Sequence, residues 1–268
     1  AQQTYTIESQ IHDGKALQSG TSHYFGDGFA RAFGIQYSDK NNELQFAHQT
    51  SWGVSTRLIG AIIMVHGDDS GLVLPPKIAP TQIALIPIAF HKEGVLDKAM
   101  EVKAQLEKDF TVLMDDSDKM PGWKFAQYEM EGIPLRLELG PRDIESGSCM
   151  AVRRDTGEKV SLKLENLNAQ VQELLDDIQQ NLYDRALALR NERIYEVKDY
   201  ESFVDTVENK PGFILAPWCG DQACEDKIKD DTGATSRCIP FDKTLEEGAK
   251  CVCCGKEAKH MVYWGKAY

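Results

Sequence analysis

The chain has 268 residues, with 42% hydrophobic and 27% charged side chains and a formal net charge of −12. This apolar content suffices for folded cores and excludes a wholly disordered chain, while the length predicts two domains or three small ones. Phosphate binding requires a local basic surface, so the negative charge excludes a general nucleic-acid coat. A focused basic patch begins at residue 136. No run of 18 apolar residues occurs, so the sequence predicts no transmembrane helix.

The first residues follow a strand pattern, with β-forming side chains over residues 4–8 and neither a methionine nor a signal-peptide pattern before them. A chain that begins within a strand pattern predicts a fragment of a longer polypeptide. Further on, Thr21 or Ser22 is placed to cap a helix. The apolar face of that helix would carry phenylalanines at intervals of four residues, Phe25, Phe29 and Phe33.

Two apolar segments complete the first region, which the sequence analysis ends at residue 77. Residues 44–51 predict a strand, and residues 54–66 predict a helix that is apolar on nearly all sides. Such a helix should be buried. Pro75-Pro76 predicts a short linker after it.

Strand and helix patterns alternate regularly over residues 82–192. Predicted strands cover residues 82–90, 110–116, 135–140 and 149–155, and predicted helices cover about 93–109, 122–132 and 165–192. This alternation predicts a three-layer α/β or mixed-sheet domain of roughly 100 residues. Residues 193–268 are rich in turns and cysteines, and we expect little apolar core there.

The cysteine spacing is the strongest chemical pattern, because six of the seven cysteines follow residue 218 and five of these fall in two short groups. Two short groups, separated by a loop, can place four thiolates tetrahedrally around zinc. They are Cys219 with Cys224, and Cys251, Cys253 and Cys254 before a glycine. A Cys-x-x-Cys-Gly turn directs backbone amides at the sulfurs, which favours Cys254 over Cys253 as the fourth ligand. The alternative is a set of scattered reduced cysteines.

The predicted metal is structural, because four thiolates leave no open coordination position. A small domain with little core also gains most from such a cross-link. The remaining cysteines, Cys149 and Cys238, adjoin apolar residues, and we interpret both as packed apolar side chains.

A second candidate site is the segment Gln18–His23, in which Gly20 and two hydroxyls would precede the predicted helix. Free amides and the helix dipole at that position could hold an anion. His23 could donate to a carboxylate or a carbonyl. Ordinary helix capping by Thr21 and Ser22 is the alternative.

A third candidate is Arg57, which follows Trp52-Gly53 in the first turn of the predicted buried helix. A cation there opposes the helix dipole and should therefore have an anionic or aromatic partner. Its planar guanidinium suits a phosphate or the face of a base. A buried pair with a protein carboxylate is equally compatible with the pattern.

The fourth candidate is the basic patch between Phe125 and Arg154. Its charged members are Glu129, Arg136, Arg142, Arg153 and Arg154. Arginine pairs bidentately with guanine, and Phe125 or Trp123 could stack on an unpaired base. A solvated charged strand face is the alternative.

Taken together, five sequence blocks resemble prolyl-tRNA synthetases of the archaeal and eukaryotic-like type, over essentially the whole chain. The blocks are TYTIE (4–8), QSGTSH (18–23), the run from His48 to Pro76, the run from Pro121 to Asp143, and VRRDTGEK (152–159). The resemblance implies a mixed α+β and α/β architecture. Residues 1–77 would be part of a class II antiparallel-sheet catalytic domain, 78–192 an α/β anticodon-binding domain, and 193–268 a small zinc-bound α/β domain.

The same resemblance implies ATP-dependent activation of L-proline to prolyl-adenylate and its transfer to tRNA(Pro), in a cytoplasmic homodimer that uses ATP, Mg²⁺ and structural Zn²⁺. The implied ATP contacts are Gln18, Thr21, Ser55 and the catalytic Arg57, and the implied proline contacts are His23 and Gly53. The implied anticodon contacts are Phe125, Glu129, Arg136 and Arg142. The implied metal ligands are Cys219, Cys224, Cys251 and Cys254, with Cys253 as the competitor.

Class II motifs 1 and 2 do not occur before Thr4, so the resemblance predicts the carboxy-terminal half of such an enzyme, unable to activate proline alone. Two other functions remain open at this point. One is a nucleic-acid-binding module without catalysis, and the other is a redox or metal-trafficking protein with exchangeable thiols.

Overall fold

A computed structural model describes all residues from Ala1 to Tyr268. They form two compact units, one of Ala1–Val65 with Leu189–Tyr268 and one of His66–Ala188. Residues 66–77 therefore belong with the segment that follows them. Pro75 and Pro76 are buried and do not form an exposed linker, because the neighbouring Val73 lies in the core of the second unit.

Residues 1–65 form a small antiparallel sheet with two helices. The elements are β1 Gln3–Gln10, β2 Ala16–Gly26, α1 Gly28–Phe33, β3 Gln36–Ser38, β4 Leu44–Phe46, β5 Gln49–Gly53 and α2 Arg57–His66. The sheet order is β1-β2-β5, and β3 with β4 forms a separate hairpin. The predicted strand over 44–51 is thus two strands.

The predicted helix after Thr21 and Ser22 is wrong, because both residues lie within β2. The helix begins only after Asp27, whose side chain makes no capping hydrogen bond, and it ends at Gly34 in the left-handed conformation. The β-branched and aromatic residues of this segment favour a strand, and they outweigh the spacing of the phenylalanines.

The predicted burial of the helix over 54–66 is also wrong. Only Ala61 of α2 is buried, and the exposed fraction of Ile59 is 60%. One face of the helix packs against Ile11 and Leu17. Ile59 and Ile63 on the helix remain exposed.

Residues 66–188 build around a five-stranded mixed sheet, as the alternating pattern predicts. The elements are β6 Ile83–Pro87, α3 Val95–Leu106, β7 Val112–Met114, α4 Pro121–Met130, β8 Leu135–Leu139, α5 Pro141–Glu145, β9 Ser148–Arg153, β10 Lys159–Lys163 and α6 Leu167–Glu192. The order is β10-β9-β8-β6-β7, in which β6 is parallel to both of its neighbours. Strand β10 and the short α5 were not predicted from the sequence.

The core of this unit follows from the periodicity of its elements. Every residue of β6 is buried, as expected for a central strand that is covered on both faces. Helix α3 buries Val95, Ala99, Val102 and Leu106 at helical spacing. Helix α6 contributes Leu167, Val171, Leu175, Ile178 and Leu182 to the same core.

Residues 189–268 form a four-stranded sheet with two capped helices. The elements are β11 Ile194–Glu196, α7 Tyr200–Asn209, β12 Phe213–Trp218, α8 Gln222–Thr232, β13 Ala234–Cys238 and β14 His260–Lys266, in sheet order β11-β12-β14-β13. Phe203 and Trp264 are fully buried in its core. The expectation of little apolar core is therefore wrong. No helix of the protein is both long and apolar enough to cross a bilayer.

Candidate functional sites

Four cysteines converge at the end of β12, the start of α8 and the loop before β14. The sulfur atoms of Cys219, Cys224, Cys251 and Cys254 all lie within 4.8 Å of one another. The Sγ of Cys219 is 3.7 Å from that of Cys224 and 3.8 Å from that of Cys254. Four thiolates bound tetrahedrally at ~2.3 Å from a zinc ion lie ~3.8 Å apart, so this cluster fits zinc.

Backbone amides support the cluster in the way that the Cys-x-x-Cys-Gly turn predicts. Gly255, at φ 72°, closes the turn, and its amide donates to the carbonyl of Cys251 at 2.9 Å. A hydrogen bond from the amide of Lys256 is the main cause that lowers the pKa of the Cys254 thiol to about 7. Burial instead raises the pKa of the Cys224 thiol.

The other cysteines lie outside this group. Cys253 is half-buried and packs between the apolar core of this sheet and the cysteine cluster. Cys149 is buried in the core of the His66–Ala188 unit, which confirms the packed side chain predicted for it. Cys238 is only half-buried, at the end of β13.

A β-bulge arranges the second candidate site. Ile7 pairs with Gly20 and Glu8 pairs with Gln18, so Ser19 is an extra residue in β2. Cross-strand partners share one face of a sheet, and the extra residue shifts the alternation of β2 by one position. Gln18 therefore lies on the same face as the two other candidate residues of β2. These are Thr21, which pairs with Thr6, and His23, which pairs with Thr4.

Side-chain contacts on this face agree with the register. The Nδ1 of His23 lies 3.0 Å from the Oγ1 of Thr4, and the Thr6 hydroxyl donates to Glu8 at 2.7 Å. Glu8 is nearly buried and also accepts from Arg237 at 2.6 Å. This ion pair could not be predicted from the sequence, because no local pattern relates two residues so far apart in the chain.

The β5 strand and helix α2 complete the second site. Gly53 pairs with Thr21 across the sheet. The Nη1 of Arg57 donates to the carbonyl of Gln18 at 3.3 Å, and the amide of Arg57 donates to the hydroxyl of Ser55 at 3.3 Å. The structure thus brings together all six residues that the resemblance assigns to ATP and proline.

Arg57 differs from its prediction in one respect. It is exposed and forms no ion pair, so the expected buried partner is absent. The reason is that the helix it begins is itself largely exposed on that side.

A cavity of about 380 Å³ lies in the His66–Ala188 unit beside the fourth candidate site. Helix α4, the end of β9 and the loop after it provide most of the lining, including Glu129 and Arg136. Arg153 and Arg154 also line the cavity, but both are buried and paired. Arg153 forms ion pairs with Asp155 and Asp177. Both Nη atoms of Arg154 donate to the carboxylate of Asp68, at 2.6 and 2.8 Å.

These two arginines therefore do not contribute free positive charge to the predicted basic patch. The hydrogen bond that Arg153 donates to Asp155 is the main cause that raises the pKa of the Arg153 guanidinium. The Nε of Arg154 donates to the carbonyl of Glu129 at 2.8 Å, which ties the end of α4 to Asp68.

The remaining members of the patch are arranged unequally. The Cζ of Arg136 lies 4.1 Å from the ring centroid of Phe125, and Glu129 is exposed on α4 without a protein partner. Arg142 is exposed on α5 and does not line the cavity. The structure therefore brings together Phe125, Glu129 and Arg136 and leaves Arg142 apart from the cavity.

A buried network, which the sequence analysis missed, fixes α4. Lys124 is 2% exposed and donates to the carbonyls of Asp115 and Ser117 at 2.8 Å. Tyr128 donates to the Asp115 carboxylate at 2.8 Å. Burial raises the pKa of Asp115, but hydrogen bonds from Ser117, Tyr128 and Lys124 outweigh it and lower the pKa to about 2.

Two family models match the regions that contain the five-stranded sheet and the four-stranded sheet. The family model "Anticodon binding domain" matches residues 82–174, and "Prolyl-tRNA synthetase, C-terminal" matches residues 200–268. The whole chain is 60% identical to the proteins named Proline--tRNA ligase of Clostridium novyi and Ruminiclostridium cellulolyticum, and 59% identical to that of Clostridium botulinum. It spans 56% of the length of each of these relatives. Over its whole length the chain is therefore similar to the carboxy-terminal part of prolyl-tRNA synthetases.

Proposed function

We propose that the chain acts in the ATP-dependent attachment of L-proline to tRNA(Pro), within a homodimeric ligase. The observation that carries this proposal is the 60% identity along all 268 residues to proteins named Proline--tRNA ligase. The chain would supply the anticodon-binding surface, part of the ATP and proline site, and a structural zinc centre. Motifs 1 and 2 would come from a segment that corresponds to the rest of the relatives' length.

The cavity beside α4 supports the anticodon part of the proposal. An unpaired guanine offers N7 and O6 as acceptors and amide and amino groups as donors. Arg136 supplies a planar donor fork and Glu129 an exposed carboxylate acceptor at the same cavity. Arg142, outside the cavity, would contact a neighbouring nucleotide or a phosphate.

Binding of a tRNA(Pro) transcript to the chain itself tests this part. Arg136→Ala should weaken binding by ~1–3 kcal/mol, and replacement of the anticodon guanines by adenines should weaken wild-type binding comparably. Lys98→Ala is the matched control, because Lys98 is an exposed cation on α3 that pairs with Glu101. Equal binding of the two transcripts by the wild-type chain would contradict anticodon recognition.

The sheet face around Arg57 supports the catalytic part. Formation of an adenylate is an in-line attack of a carboxylate on the α-phosphate, which needs positioning and charge neutralisation more than a protein nucleophile. Arg57 is exposed beside Gln18, so its guanidinium is free to stack on adenine and contact phosphate. Mg²⁺ bound with ATP would neutralise further phosphate charge.

A chimera tests the catalytic part, with residues 1–268 replacing the matching segment of the Clostridium novyi relative. It should catalyse ATP–pyrophosphate exchange that depends on proline, whereas the chain alone should not. Arg57→Lys in the chimera should lower the exchange about 100-fold, or ~3 kcal/mol, because lysine lacks the planar face. An inactive but folded chimera would favour a nucleic-acid-binding module without catalysis.

A further inference from the structure

Among the arginines that line the 380 Å³ cavity, Arg136 alone retains an Nη atom without a protein partner. Arg153 uses all three of its nitrogens on two aspartates. Arg154 uses its Nη atoms on Asp68 and its Nε on a main-chain carbonyl. In Arg136, the Nε donates to one oxygen of Glu138 at 3.0 Å, the Nη2 lies 3.0 Å from the same oxygen in an ion pair, and the Nη1 remains free.

Glu138 and Arg136 lie two residues apart on β8 and thus on the same face of the strand. Both side chains are mostly buried, with exposed fractions of 16% and 14%. Glu138 itself does not line the cavity. The Phe125 ring lies 4.1 Å from the Cζ of the same guanidinium, so two contacts fix its orientation.

We propose that Glu138 is a positioning residue that orients Arg136 for the recognition of guanine. This inference rests on the anticodon recognition proposed above. Glu138 occupies the edge of the guanidinium formed by Nε and Nη2, which leaves the edge formed by Nη1 and Nη2 for a bidentate contact with O6 and N7 of guanine. Phe125 supports the plane of the guanidinium, and its ring face is therefore occupied by Arg136 rather than by a base.

A specific result separates this role from a structural one. Without Glu138, Arg136 keeps its charge but gains rotational freedom, and its unneutralised charge still attracts phosphate. Removal of the carboxylate should therefore reduce the discrimination between bases more than the overall affinity for RNA. A variant that merely loosened the fold would weaken the binding of every transcript alike.

The experiment measures filter binding of the 268-residue chain to two transcripts, tRNA(Pro) and the same tRNA with adenines in place of the anticodon guanines. Glu138→Ala should lower the ratio of the two affinities about tenfold and leave binding of the adenine transcript unchanged or stronger. Glu138→Gln, whose amide oxygen can still accept the hydrogen bond from Nε, should retain most of the ratio. Glu101→Ala is the control, because it removes an exposed carboxylate on α3.

Glu138→Asp covers the case in which the alanine variant fails to fold. It keeps the charge but shortens the reach by one methylene group, so it should also lose discrimination. An unchanged ratio in a folded Glu138→Ala or Glu138→Asp protein would overturn the positioning role and leave anticodon recognition standing. If the wild-type chain itself shows no preference between the transcripts, anticodon recognition fails instead.

Discussion

Residues 66–188 and residues 1–65 differ in how far their apolar side chains are buried. In residues 66–188, helices α3 and α6 cover the central sheet, and every residue of β6 is buried. In residues 1–65, the exposed fractions of apolar side chains reach 74% at Phe33 and Trp52 and 60% at Ile59. These side chains lie outside the apolar cluster of this region, which holds Ile11, Leu17 and Ala61. Apolar content alone therefore does not indicate which face of an element is buried.

The arginines show the same contrast. Arg153 and Arg154 are buried and each forms an ion pair with a carboxylate, whereas the side chain of Arg57 is exposed and contacts only a backbone carbonyl. A buried pair loses much stability when one partner is removed, because the other charge remains desolvated. An exposed arginine is free to contribute to binding without a structural role. The following predictions test this contrast.

Removal of the metal should have the largest effect, and it should act on one sheet only. We expect about one equivalent of zinc per chain, and a structural zinc site contributes on the order of 10 kcal/mol to folding. Chelation or Cys219→Ala should therefore unfold residues 200–268 and leave the core of residues 66–188 protected. Elemental analysis and hydrogen exchange of peptides from both regions measure this.

Cys253→Ser is the matched control for the metal, because Cys253 adjoins the cluster without belonging to the group of four. It should keep the bound zinc. Unchanged thermal stability of residues 200–268 after complete zinc removal would show that the cysteine cluster has no structural metal.

A substitution in the core of residues 66–188 and one on the exposed helix α2 should differ in their effect on stability. Leu137→Ala on β8, where the leucine is fully buried, should lower the free energy of unfolding by ~2–5 kcal/mol. Ile59→Ala on α2, where the side chain is 60% exposed, should change it by less than ~0.5 kcal/mol. Thermal or urea denaturation measures both changes in the free energy of unfolding, and hydrogen exchange assigns each change to its region. A large loss for Ile59→Ala would mean that this face is buried in solution.

Acid should affect the Asp115 network by a smaller amount. The pKa of Asp115 is about 2 in the folded chain, below its ordinary value of 3.8. A lowered pKa stabilises the fold above pH 4, and this contribution of roughly 2 kcal/mol is lost as the pH falls from 4 to 2. Asp115→Asn should therefore be less stable than wild type at pH 7 and close to it at pH 2. A constant difference at both pH values would contradict the assigned pKa.

Periodic and local patterns predicted much of the structure. The strands and helices over residues 82–192 alternate as expected, because a regular apolar repeat specifies both the element and its buried face. The cysteine cluster followed from spacing, because a tight turn constrains which sulfurs can converge. The place of Cys254 in the cluster depends on a backbone turn within five residues, so the local sequence is enough to predict it.

Long-range pairing could not be predicted in the same way. The pairs Glu8–Arg237 and Arg154–Asp68 join segments that carry no shared pattern. The bulge at Ser19, which aligns Gln18 with Thr21, depends on the partner strand rather than on the sequence of β2 itself. The exposure of α2 likewise depends on which elements cover it, and this information is absent from its own apolar residues.

The smallest effect is expected for the stability of an Arg57→Ala variant. Arg57 is exposed, has no ion pair, and donates one hydrogen bond of 3.3 Å to a carbonyl that water can also reach. Its removal should change the free energy of unfolding by less than ~0.5 kcal/mol. Arg154→Ala, measured in parallel by denaturation, should lose ~2 kcal/mol, because a buried guanidinium loses its hydrogen bonds to Asp68 and to the carbonyl of Glu129. If Arg57→Ala were as destabilising as Arg154→Ala, Arg57 would be a structural residue. Any loss of ATP–pyrophosphate exchange in the chimera would then reflect misfolding rather than a missing contact with ATP.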